Sequence, residues 1–273
     1  MSGDPVKGNL LPCPLEKTLS RNMFLLSELI RRDLAARYAG SFAGVFWTLL
    51  NPALTCALYG FVFSAVVRIP PPEGFAGSYL EFLLAGLIPW IGIQEALTRS
   101  ATSVTDHANL VRKQVFPVHY LPIASLAGAV FLQAAAVAVV ALGLAFFGEG
   151  SVRLVPLAGA FLLEFLVVLG PILALSSVGA LFRDLPHFLG TAMTAVFYLT
   201  PVLYHESLVP ERFSALLAVN PFRDVIALFR AGIIGTPVPP VPRLVAVAAV
   251  SALVAWAGAR LFAASRKTFA DVL

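Results

Sequence analysis

The sequence predicts an all-α, polytopic membrane protein, and three features carry that expectation. Charged residues make up 12% of the 273 residues, against roughly 25% in ordinary soluble domains. Apolar residues reach 59% and mean hydropathy is +0.86, too much apolar surface for so few charges to cover in water. Uncharged runs also recur at about the 20 residues that a helix needs to cross roughly 30 Å of hydrocarbon. No ten-residue alternation of the kind found in a membrane barrel recurs.

The elements follow in chain order. Residues 1–22, with Pro5, Pro12 and Pro14, read as a flexible tail that lacks the apolar core of a signal peptide. An amphipathic helix is expected over 23–40. Leu26, Ile30, Leu34 and Tyr38 recur every fourth position on one face, while Glu28, Arg31, Arg32 and Arg37 take the other. Such a helix lies in the headgroup layer of the membrane lipids, apolar face down and arginines toward phosphates. Gly40 and Gly44 then let the chain turn inward, and no charge occurs from Tyr38 to Val67.

A membrane domain is expected over 41–265, with six spans near 43–67, 79–97, 119–147, 154–181, 188–204 and 241–263. Asn51-Pro52 should kink the first, because proline removes a ladder bond. The fifth is the shortest, and Pro201 and Tyr204 sit at the edge of an outer structure. Residues 266–273 form a C-terminal tail. With both termini inside, the cytoplasm receives thirteen of the 19 Lys and Arg residues. The outside receives Arg68, Arg153, Arg212, Arg223, Arg230 and Arg243. That asymmetry favours cytoplasmic termini.

Several chemistries lack their residues. A net charge of +4 and a pI near 9.3 do not indicate nucleic acid, since the basic residues flank apolar runs as the positive-inside rule places them. No GxxxxGK[ST], HExxH or GxSxG motif occurs, so no catalytic residue is assigned. Cys13 and Cys56 have neither metal-ligand nor disulfide spacing, so no metal site is assigned, and Cys56 reads as a small packing residue. Carboxylates inside spans are Glu81, Glu95 and Glu164. The first two can reach an interface. Glu164 is deep, where either a helix-packing hydrogen bond or a proton relay explains it.

Three connections stand out. Residues 99–122 hold a short polar helix followed by Pro117 and Pro122, and read either as a rigid transmitter of a partner's motion or as a solvated loop. The turn "LFRDLPH", 181–187, places Arg183 and Asp184 at the same membrane face. The outer stretch 205–235 contains two amphipathic pieces near 211–218 and 222–233, broken at Asn220-Pro221 and too short to span. They read as re-entrant half-helices suited to a lid, or as a hairpin resting on the outer surface. Trp47, Tyr59, Trp90, Tyr198 and Tyr204 serve either as interfacial anchors or as a channel wall on which sugar rings stack.

The stretches "RDLAARYAGSFAGVFWTLLNP", "LLAGLIPW", "HANLVRKQVFPVHYLPIA", "FRDLPHFLG" and "LTPVLYHESLVPERFSALLAVNP" occur in an order that resembles one family. It is the ABC-2 type membrane permease of polysaccharide exporters, which move lipid-linked O antigen or teichoic acid. The resemblance covers residues 22–265 and departs at Phe182, where a Tyr is common. It implies a homodimer in the bacterial inner membrane, with two copies of a separate ABC ATPase binding the ATP and Mg that this chain does not. It implies coupling to that ATPase through the interface helix (Arg31, Arg32, Arg37), a coupling helix at 99–113 (Asp106, Asn109, Arg112, Lys113) and the Arg183-Asp184 turn. A channel between protomers would be lined by Phe46, Trp47, Tyr59, Trp90, Phe197, Tyr198 and Tyr204. Pro201, Glu211, Arg212, Asn220, Pro221 and Arg223 would form the outer gate at 205–235. The competing readings are a drug or lipid exporter on the same scaffold and, from another class, a secondary transporter without an ATPase. The latter needs inverted repeats, and none is evident.

Overall fold

The computed structural model describes residues 14–38, 46–73, 75–112, 117–147 and 152–272. They form helices, with no strand among the described residues. In chain order these are α1 (Pro14–Tyr38), α2 (Phe46–Gly60, continued by a π-helical Phe61–Val66), α3 (Tyr79–Ser100), α4 (Ala108–Val111), α5 (Tyr120–Phe147), α6 (Leu154–Leu181), α7 (Leu185–Leu199), α8 (Ser214–Val219), α9 (Pro221–Ile233) and α10 (Val241–Val272). Four of them, α3, α5, α6 and α10, are long and apolar enough to cross a membrane. Leu50–Val66 and Leu185–Leu199 are shorter apolar helices. The protein is an integral membrane protein.

Helices α3 and α6 form the centre, and small residues set how closely their neighbours approach. Helix α10 lies along α6, where a Cβ on Gly258 would come 2.4 Å from the Gly170 carbonyl oxygen and one on Gly170 would come 2.6 Å from the Val254 backbone. With no water to exclude between helices in lipid, such close backbone contact is what holds them together. Helix α9 meets α6 in the same way, with Gly232 against the Leu157 backbone at 2.8 Å. It ends at Gly235, whose φ of 72° is left-handed and costs glycine nothing. Helix α5 packs on α3, α1 runs across α5, and α2 and α7 touch α3.

Three boundaries differ from the sequence reading. Helix α1 begins at Pro14 rather than 23, because proline fits the first helical turn and Leu15, Glu16, Lys17 and Leu19 are good helix formers. Helix α10 continues to Val272 through the expected tail at 266–273. Phe269, fully buried, meets Phe262 edge to face at 5.5 Å and holds that end in place. Helix α7 ends at Leu199, where Thr200 and Pro201 leave the helix.

Candidate functional site

A cavity of about 810 Å³ opens between α2, α3 and α7. Its middle is aromatic. Phe197 lies 5.7 Å from both Tyr59 and Trp90, and 5.3 Å from Tyr198. Trp90 also meets Phe222 edge to face at 5.8 Å. Tyr59, Trp90, Phe197 and Tyr198, which the sequence reading grouped, therefore share one wall. Tyr204 does not line the cavity, since its hydroxyl donates to the Tyr198 carbonyl at 3.0 Å. Phe46 and Trp47 fall in α2, but their side chains lie outside the described residues.

One end of the cavity is charged. Arg37 donates from Nη1 to Glu95 Oε1 at 2.5 Å and from Nη2 to Asp33 Oδ2 at 2.8 Å, and Arg99 Nη2 meets Asp33 Oδ1 at 2.9 Å. Only 5% of the Arg37 side chain is exposed. This corrects the expectation that Arg37 faces phosphates with Arg31 and Arg32. Leu29, Asp33 and Arg37 are spaced by four and share the face that packs on α5, where Gly128 leaves room for both charged ends. Two acids satisfy the guanidinium, so its burial is compensated. Arg31 and Arg32 remain exposed beside Glu28. Hydrogen bonds from Arg32 and then Arg31 hold the Glu28 carboxyl below its usual range.

Apart from the buried Arg37, the described residues expected to couple to a partner are exposed. Asp106 is exposed in the 3-10 turn Thr105–His107, and Asn109 and Arg112 are exposed at α4. Lys113 lies outside the described residues. Arg183 and Asp184 are exposed in the turn between α6 and α7. The two connections abut, because Gly179 sits so close to the Ala101 carbonyl that a Cβ would fall 1.8 Å from its oxygen. Helix α10 also contacts α4. Next to this region, burial and then the charge of Arg266 hold His119 below its usual range.

At the opposite end, a short-helix assembly is fastened by polar contacts. Asn220 caps α9 by accepting from the Phe222 amide at 3.0 Å, and its own amide donates to Thr200 Oγ1 at 2.9 Å. Pro221 follows at the first helical position, where proline fits. Arg223 pairs with Glu206, and Asp224 with Arg243 of α10 at 2.5 Å. Glu211 and Arg212 are exposed in the turn before α8.

Arg230, which the sequence reading did not single out as a site residue, is fully buried in this assembly. It donates to the carbonyls of Phe82 (3.3 Å), Pro201 (2.7 Å) and Val202 (2.6 Å), and stacks 3.6 Å from the centre of the Phe82 ring. No carboxylate lies within ion-pair distance among the described residues. A signal for it existed, since Arg230 shares the apolar face of α9 with Ile226 and Ile233. Gln133, in the middle of an apolar span, is a second such residue. Its amide donates to Glu164 Oε2 at 2.9 Å and to the Pro89 carbonyl at 3.3 Å, stitching α5, α6 and α3. This favours helix packing over a proton relay for Glu164.

The sequence model of the ABC-2 type transporter family matches residues 25–234. The chain belongs to that family. Among curated relatives, the O-antigen export system permease protein RfbA of Myxococcus xanthus is 33% identical over 253 residues, covering 90% of this chain and 94% of the relative. Permeases of the same name from Klebsiella pneumoniae are 31% identical over 214 residues and 29% over 208, each covering 76% of this chain and 78% of the relative. As an ABC-2 family member the chain is a permease subunit and not itself an enzyme. The family match includes α2 through α9, and so the whole of the cavity and the Arg230 assembly.

Proposed function

We propose that this chain is the permease of an ATP-driven exporter that moves a lipid-linked polysaccharide out of the cytoplasm across a bacterial inner membrane. The carrying observation is the cavity wall of Tyr59, Trp90, Phe197 and Tyr198. A glycan is strongly hydrated, and its passage through hydrocarbon without a lined path is prohibitive. Aromatic faces stack on the C–H surfaces of sugar rings while polar atoms meet hydroxyls. Such contacts are weak per sugar and tolerant of sequence, so a polymer can slide. The names of the relatives, all O-antigen export permeases, point to the same cargo.

In this reading α2 and α7 are the first and fifth of six spans, both termini are cytoplasmic, and α8 and α9 are re-entrant half-helices of an outer gate. Two protomers face each other across the cavity. Two ATPase subunits, carrying ATP and Mg, dock on Arg31, Arg32, Asp106, Asn109, Arg112, Arg183 and Asp184. The buried Arg37 acts from within by fastening α1 to α3. Motion of the docked ATPase enters through α1, α4 and the 182–184 turn, and the gate passes the chain outward.

Depletion of the protein in its own host tests this. Polymer trapped on the cytoplasmic side, with less on the surface, is expected. Normal surface glycan without internal build-up would instead assign the permease to a drug or lipid cargo.

A further inference from the structure

The polar half of the cavity wall has a hydrogen-bonding sense that composition does not reveal. Thr55 of α2, Thr98 of α3 and Thr194 of α7 all line it. Each threonine hydroxyl donates to the carbonyl four residues earlier in its own helix, Thr55 to Asn51 at 2.9 Å, Thr98 to Gln94 at 2.8 Å and Thr194 to Gly190 at 3.1 Å. A carbonyl can only accept, so each hydroxyl proton is committed to the helix and the free lone pairs remain for the cavity. Three helices thus present acceptor oxygens.

Gln94 supplies the complement. The Trp90 indole, a donor only, donates to Gln94 Oε1 at 3.1 Å and so fixes which end of the amide carries oxygen. The Gln94 NH₂ then has no protein partner among the described residues, and Gln94 lines the same cavity. Gln94 therefore offers a donor beside these three acceptors, one helical turn from the stacked aromatics. Helix spacing places Trp90, Gln94 and Thr98 in a row along α3.

We propose that Thr55, Thr98 and Thr194, with Gln94, form a hydroxyl-reading face that determines specificity for neutral, polyhydroxylated sugar units. The proposal rests on the glycan-export reading above and adds to it which polar groups meet the sugar. Each sugar hydroxyl donates one proton and also accepts, so a passing ring donates to the threonine oxygens and accepts from Gln94. An apolar drug or an acyl chain would leave these atoms unpaired, and that is a cost against such cargo. The charged mouth is largely engaged with itself, because Asp33 holds Arg37 and Arg99 while Glu95 also holds Arg37.

The test uses the full permease with its ATPase in the host cell. Surface carbohydrate on intact cells is read by periodate–hydrazide labelling, internal polymer is read in lysates, and permease abundance in membranes is measured for every variant. Thr98→Val keeps the shape and removes the hydroxyl, whereas Thr98→Ser keeps the hydroxyl and removes a methyl. Thr98→Val should lower surface carbohydrate about threefold, and combining it with Thr194→Val should lower it on the order of tenfold, as expected for one and two lost hydrogen bonds. Thr98→Ser should retain half or more. Losses of the same size in the Val and Ser variants would mean that side-chain shape matters and would overturn the proposal. If both Val variants match wild type while Tyr198→Leu lowers export, the hydroxyl face is overturned and the glycan channel stands. If Tyr198→Leu also exports normally, the glycan channel falls with it.

Discussion

Two buried arginines stand at opposite ends of the cavity region, and they are buried on different terms. Arg37 lies among Asp33, Glu95 and Arg99, so two carboxylates compensate two guanidiniums. Arg230 has no carboxylate within ion-pair distance among the described residues and is satisfied by three carbonyls and a phenyl face. Pro201 and Val202 lie in a turn, where their carbonyls lack a ladder partner. The planar fork of an arginine reaches both while lying against Gly86, where a Cβ would come 2.6 Å from Nη2. An ion network can exchange partners as a neighbouring subunit moves. A guanidinium bound to backbone can let go only if the chain itself rearranges. The Arg37 site is therefore the more readily rearranged, and the Arg230 site keeps α3, α9 and the 200–204 turn together as one body.

The largest effect that would break this contrast is expected at Arg230. Arg230→Met leaves buried carbonyls unsatisfied, at about 1–3 kcal/mol each. It should lower the apparent melting temperature of the detergent-purified protein by on the order of 10 °C. Arg230→Lys should recover little, because one ammonium cannot reproduce the fork. Full recovery by lysine would show that charge, not geometry, holds the site.

Next in size is the Arg37 network. Arg37→Gln strands Glu95 and leaves Asp33 with Arg99 alone, at a cost of about 2–3 kcal/mol, reduced from the fully buried case because Glu95 is 35% exposed. Glu95→Gln should cost less than about 1 kcal/mol, since Asp33 still holds Arg37. A double-mutant cycle should return a coupling near 1 kcal/mol between them. Strict additivity would mean that the two do not act as one network.

The third expectation concerns function more than stability. Replacing both Arg183 and Asp184 with alanine should leave the melting point within about 2 °C, because both are exposed. It should, however, uncouple ATPase turnover from export. Unchanged export in that double mutant would remove the turn from the mechanism. Smallest of all, Arg31→Gln with Arg32→Gln should leave the melting temperature unchanged, since these residues pair with Glu28 at the surface. A large drop in melting temperature would show that α1 is held by its exposed arginines and not by Asp33 and Arg37.

The sequence by itself determined the class of the fold and most helix positions. Uncharged runs of spanning length left no alternative to membrane helices, and α3, α5 and α6 lie within three residues of where those runs were placed. It also located the break at Asn220-Pro221, because an asparagine before a proline caps and starts a helix from local chemistry alone. Tertiary structure decided which face of α1 turns inward. A four-residue apolar pattern of Leu26, Ile30, Leu34 and Tyr38 suggested one face, but Asp33 and Arg37 are buried through Glu95 and Arg99, more than 50 residues away. It also decided that Arg230 spans three segments, that Tyr204 turns from the cavity, and that the threonines offer lone pairs from three helices. Periodicity reports which residues avoid water. Which polar groups meet inside depends on how helices distant in sequence are packed, and that is absent from any one stretch of the chain.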